Sequence, residues 1–181
     1  MALGATMFRF VVDVSDVDRQ VYTTDEFAMA RHPSETDASM ITRVLAWALE
    51  FGDGIQFGRG VAFPDEPALQ IPDDRGGILR WIEVGAPAAA RVHKAAKSAA
   101  SVAIYSHRPP DIVYGGLRGE RIHHPEHIDI LLFPQTFMTA LEQALERRNT
   151  WSITRNEGVV YVTVGDRTIE CTPLITTLDR I

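Results

Sequence analysis

The chain has 181 residues, 45% of them hydrophobic, and a formal net charge of −6. That length suits one globular domain over 1–181 with a real core, and the acidic balance argues against a protein that coats nucleic acid nonspecifically, because such binding draws on many Lys/Arg contacts to phosphate. No apolar run approaches the roughly 18 residues of a membrane helix, the start "MALGATMFRFVVDV" lacks the form of a secretory signal, and Cys171, the one cysteine, excludes an intrachain disulfide or a cysteine zinc site and fits a reducing cytoplasm.

Residues 7–14 and 21–30 alternate in part between apolar and polar, which predicts two strands joined by the turn "SDVDRQ". Met40, Ile41, Val44, Leu45, Ala48 and Leu49 follow a helical period. Ser34 with Asp37 fits a capping box at the start of that helix, and Gly52 ends it. Short strands are expected at 55–63 and 68–71, around "PDEPAL", and a fuller one at 78–84, "ILRWIEV". A helix follows over 87–99, then a strand over 101–106. Residues 107–126 suggest a short helix within a loop. "HIDILLF" predicts a strand, and "PQTFMTALEQALERR" a helix with Pro134 in its first turn. The rest, "TWSITRNEGVVYVTVGDRTIECTPLITTL", predicts an antiparallel meander with turns at "NEG" and "GD". The sum is an α/β (α+β) class, a mixed sheet flanked by helices and closed by a C-terminal antiparallel meander.

Glu83 is an acid among bulky apolar residues near the end of a strand. Unpaired and buried it would be costly, so it needs a cation or an opening to solvent. Upstream, Asp65 and Glu66 stand between Pro64 and Pro67. Two neighbouring strands would bring Glu66 and Glu83 side by side, and paired carboxylates with water are a hard-oxygen site for Mg²⁺ or Mn²⁺. The chain has sixteen arginines but only two lysines, Lys94 and Lys97, both in the helix after "WIEVG". A lysine there could orient water or offset phosphate charge. Residues 53–74 carry five acids and one Arg, whereas 75–108 carry six Arg/Lys and the single acid Glu83. The plainer readings are a salt-bridged strand end and an exposed helix face.

These residues also carry a resemblance. The chain resembles the YaeQ family of bacterial proteins from end to end, through "MALGAT", "ARHPSET" leading into "RVLAWAL", "DEPAL", "WIEVG" and "RVHKAA" in that order and spacing. The resemblance implies a variation on the PD-(D/E)XK nuclease-like core: a helix, three strands carrying an acid and then a (D/E)-x-K, a helix and a further strand. It would make Glu66 the first acid, with Asp65 the weaker choice, and Glu83 the second, both as metal ligands. Two positions after Glu83 stands Gly85, not lysine. The missing charge would then come from Lys94, with Lys97 as the fallback.

Other positions have competing readings. In "RHPSE", Ser34 serves as a helix cap and Glu35 favours the helix dipole; alternatively His32, Ser34 and Glu35 line the same cleft. Glu50 is either an exposed helix acid or the acid of a first helix. "HHPEH" puts His123 and His127 four apart, but Pro125 between them opposes a helix, and no cysteine accompanies them. The expected function is a Mg²⁺- or Mn²⁺-dependent nuclease-like phosphodiesterase using Glu66, Glu83 and Lys94. The alternative is a non-catalytic module on the same scaffold that binds nucleic acid, DNA or RNA, or a protein partner.

Overall fold

In a computed structural model that describes residues 4–60, 63 and 65–181, two sheets hold one helix between them. The first sheet starts from a long hairpin, β1 (Thr6–Asp16) and β2 (Val21–Arg31). Phe8, Phe10, Val12 and Val14 of β1 are buried and alternate with outward residues, the period-two pattern of a half-covered sheet. The sheet is completed by β8 (Arg148–Asn156), β9 (Val159–Val164) and β10 (Arg167–Cys171), in the order β10-β9-β8-β1-β2. β1 pairs with β8 in parallel and all other neighbours are antiparallel. Glu157 and Gly158 both have positive φ, 50° and 76°, as a two-residue hairpin matched to strand twist requires.

The second sheet has the order β11-β7-β6-β5-β4-β3. Its members are β3 (Gln56–Phe57), β4 (Leu69–Pro72), β5 (Ile78–Val84), β6 (Ala99–Ser106), β7 (Ile128–Leu132) and β11 (Leu174–Thr177). β3, β4 and β5 run antiparallel, and β5, β6 and β7 run parallel. Both faces are covered, so Trp81–Glu83 and Val102–Ser106 are buried without alternation.

Helix α1 (Asp37–Glu50) lies between the sheets, touching β1 and β8 on one side and β4, β5 and β6 on the other. Every residue from Met40 to Leu49 is buried, as a helix with apolar partners all round must be. α4 (Gln135–Ala144) packs beside it. The other face of the second sheet carries α2 (Ala89–Ser98) and α3 (Pro110–Gly115) over Trp81, Val102, Ile104, Ile128 and Ile130. No helix among the described residues is long and apolar enough to cross a membrane.

Four expectations change. The single mixed sheet is two sheets. The C-terminal meander stops at β10: Pro173 follows, and β11 crosses to pair with β7 of the other sheet. The α4 helix ends at Ala144 because the buried Asn149 side chain takes over the next backbone groups, accepting from Glu146 N (2.9 Å) and donating to Glu146 O (2.7 Å) and Arg9 O (3.2 Å). Of the strand expected over 55–63, only Gln56–Phe57 forms among the described residues, and 61, 62 and 64, like Met1–Leu3 of "MALGAT", lie outside them.

Candidate functional site

The element order α1-β3-β4-β5-α2-β6 brings the end of β5 against the start of α2 and the segment before β4. A cavity of about 270 Å³ opens there, lined in part by Glu83, Glu66, Arg91, Arg43 and Ser39. The β4–β5 register pairs Leu69 with Ile82, which sets residues 66–68 beside 83–85. Gly58 holds this segment close: its N–H donates to Ala68 O (2.9 Å), and a Cβ there would lie 2.0 Å from Pro67 O.

Glu83 is 3% exposed. Trp81 is two residues earlier on the same strand face, and its indole Nε1 donates to Glu83 Oε1 at 2.6 Å. Arg91 Nε meets the same oxygen at 2.8 Å. Burial pushes the Glu83 carboxyl above the usual carboxylate range, and the Trp81 and Arg91 hydrogen bonds work against that rise. Arg91 Nη2 also donates to the backbone carbonyl of Glu66 at 2.6 Å. Arg91 therefore clamps the two acid-bearing segments together.

The cation at Glu83 is thus Arg91, not Lys94, and this corrects the lysine expectation. Arg91 sits in the first turn of α2, next to the strand end, whereas Lys94 is three residues, about 4.5 Å, further along the axis. Lys94 Nζ pairs instead with Asp65 Oδ1 at 2.6 Å, and this exposed pair draws the Asp65 carboxyl below its ordinary range. Gly85 has φ +95°, a backbone state that strains any other residue, so the chain turns into α2 where a (D/E)-x-K lysine would stand. Lys97 lies in the last turn of α2 and lines a different hollow, with His123, His124 and His127.

Glu66 shares the cavity with Glu83, but its carboxylate is engaged by Arg59: Nε to Oε1 at 2.7 Å, the backbone N to Oε2 at 3.3 Å, and Nη2 closer still. The Arg59 hydrogen bond lowers the Glu66 carboxyl. Arg59 also stacks over the Phe63 ring, 3.8 Å from its centroid.

At the head of α1 the cap is Thr36, not Ser34. Thr36 Oγ1 accepts from Ser39 N at 3.1 Å and the helix begins at Asp37. Ser34 is exposed and bonds His32, with Ser34 Oγ 2.6 Å and Ser34 N 3.1 Å from His32 Nδ1. His32 and Ser34 do not line the Glu83 cavity. Glu35 does reach it indirectly, because its buried carboxylate accepts from Arg43 Nη2 at 2.8 Å and Arg43 lines the wall. Glu50 faces the other side of β5, where it accepts from Arg80 (2.8 and 3.1 Å) and Tyr105 Oη (2.9 Å), while Arg80 also meets Asp129 at 2.7 Å.

Arg43 and Arg91 were not singled out by the sequence. The signal for Arg43 was a lone charge inside the apolar run "MITRVLAWAL". For Arg91 it was position: a first-turn residue of the helix that follows an acidic strand end.

The comparisons with known proteins agree on one family. The YaeQ protein family model matches residues 1–173. The uncharacterized protein YaeQ of Escherichia coli (strain K12) is 41% identical over 107 residues, which are 59% of this chain and 59% of that protein, so the chain spans less than two thirds of the curated relative it matches. The crystal structure of YaeQ protein from Pseudomonas syringae superposes with a TM-score of 0.83 at 29% identity, covering 96% of each chain. The YaeQ protein from Xanthomonas axonopodis pv. citri gives 0.84 at 26%, covering 94% of this chain and 97% of the other.

Proposed function

The chain belongs to the YaeQ protein family, and we propose that it is a Mg²⁺- or Mn²⁺-dependent phosphodiesterase that cuts nucleic acid at the Glu83 cleft. One observation carries the reading. Glu83 is almost fully buried, yet it lines a cavity shared with a second carboxylate and two arginines. Burying a carboxylate is expensive, and a strand end offers water at no cost, so a purely structural acid gains nothing from this place. The order of elements supports the reading too: a helix, three antiparallel strands with acids beside the second and in the third, a helix and a parallel strand.

The donor set fits a hard dication. Glu83 and Glu66 would hold it, and the bound ion would polarise a phosphoryl oxygen and lower the pKa of a coordinated water. Arg91 favours the ionised form of Glu83 against the effect of burial and holds the side chain in place. Arg43 and Arg91 present positive charge to a phosphate entering the cavity. Lys94, at 55% side-chain exposure, is free to leave the still more exposed Asp65 for the nucleic acid backbone. The single cysteine, Cys171, is buried and reduced, in keeping with action in the cytoplasm.

The test is a panel of labelled single- and double-stranded DNA and RNA, incubated with Mg²⁺ or Mn²⁺. Native protein should cut at least one member, and Glu83→Gln and Glu66→Gln should not. Activity surviving in Glu83→Gln would overturn the assignment. A second reading is the non-catalytic module for a nucleic acid or protein partner. It is favoured by the arginine or lysine already bonded to each of Asp65, Glu66 and Glu83. Retention of nucleic acid in gel shift with no cleavage under any metal would select it.

A further inference from the structure

The segment "HHPEH", His123–His127, does not form the α-turn that Pro125 opposes. Pro125–His127 form a 3₁₀ turn, with Pro125 at its tolerant first position and His127 N donating to His124 O at 2.9 Å. Residues i and i+3 eclipse in such a turn. The His124 and His127 rings accordingly stack, 5.3 Å apart and 18° from parallel. His124 is in the left-handed region, φ 43° and ψ 60°, uncommon for a residue with a side chain. Its Nδ1 lies 2.8 Å from Glu126 Oε1. One ligand atom each from His124, Glu126 and His127 falls within 4.8 Å of the others, and all three residues are exposed.

We propose that His124, Glu126 and His127 bind a borderline transition-metal dication of the Zn²⁺ class, at a site separate from the carboxylate pair of the Glu83 cleft. Two imidazoles and one carboxylate are a donor set suited to zinc and to its neighbours in the first transition row, and unsuited to Mg²⁺. Three protein ligands leave a fourth position. The hollow beside them, about 270 Å³ and lined also by Lys97, Ser101 and His123, has room for water or an anionic group there. The ligand atoms are already gathered by the backbone turn, within 4.8 Å of one another.

Untagged protein, stripped with EDTA, is titrated with Co²⁺ and then challenged with Zn²⁺. The expected result is one equivalent of Co²⁺ with the visible d–d bands of a four-coordinate ion, lost when Zn²⁺ is added. His124→Ala and His127→Ala should each abolish those bands, and Glu126→Gln should weaken binding. The Glu66→Gln/Glu83→Gln double variant should keep them, which separates this site from the cleft. As a measurement free of variants, Zn²⁺ should shift the imidazole nitrogen resonances of His124 and His127 in the native protein. No Co²⁺ or Zn²⁺ uptake by native protein, or uptake unchanged in the His124→Ala/His127→Ala double variant, would overturn the proposal.

Discussion

Arg91→Met isolates the electrostatics of the cleft. Methionine keeps an apolar stem of similar reach and removes the guanidinium from Glu83 Oε1 and from the Glu66 carbonyl. The Glu83 side chain is 4% exposed, so the carboxylate left behind cannot rehydrate without disturbing the strand end. Removing one partner of a buried pair costs roughly 3–5 kcal/mol. Glu83 opens on a cavity and keeps the Trp81 hydrogen bond, which puts the expectation at the low end, about 3 kcal/mol at pH 8. Burial already raises the Glu83 carboxyl in the native protein, and losing Arg91 raises it further. A carboxyl raised on folding contributes stability that is complete below its unfolded pKa and is lost as pH climbs through the folded value. The penalty should therefore shrink toward pH 4, to about 1 kcal/mol for the lost hydrogen bonds, and grow toward pH 8. Urea unfolding followed by circular dichroism at several pH values reads this directly. The double variant Arg91→Met/Glu83→Gln should recover most of the loss at pH 8. A penalty independent of pH, or a double variant no more stable than Arg91→Met, would refute the reasoning.

Three further outcomes are expected. Thr36→Ala should cost about 0.5–2 kcal/mol in urea unfolding, whereas Ser34→Ala should stay within about 0.5 kcal/mol of native; the reverse ranking would restore Ser34 as the cap. Glu50→Gln should cost about 1–2 kcal/mol, below the full cost of a broken buried pair because Asp129 still holds Arg80, and an unchanged urea midpoint would place that network outside the stabilising core. Cys171 is buried and its thiol is pushed up to about 12, so a disulfide reagent at pH 8 should find no reactive thiol in native protein and one equivalent in denaturant.

Much of this fold can be read from the chain. The β5 limits at Ile78 and Val84 follow from composition and flanking turns alone, and "NEG" and "GD" mark the two hairpins of β8–β10. What could not be read depends on distance in space. Nothing local tells β11 to leave one sheet for the other; only Pro173 hints at a break. Thr36 wins the cap over Ser34 because His32 occupies the Ser34 hydroxyl, a competition settled by a side chain two residues back. At the site, residue type was a poor guide to pairing. The scarcity of lysine pointed to Lys94, yet the geometry of a helix following a strand favours its first turn, where Arg91 stands. The histidine spacing was read against an α-helix, whereas Pro125–His127 form the tighter 3₁₀ turn, which sets His124 and His127 ring to ring.

The parallel pairing of β1 with β8 has a consequence for synthesis. Ser152 and Asp13, hydrogen-bonded across that seam, are 139 residues apart. At roughly 5–20 residues per second, β1 emerges about 7–28 s before its neighbour exists. During that interval Phe8, Phe10, Val12 and Val14 have neither the strand that flanks them nor, at first, the α1 helix that covers them. An unpaired edge with an apolar face invites association with other chains. The nascent protein is therefore expected to depend on holding chaperones until β8 arrives, and to refold slowly from denaturant, as chains with distant pairings do.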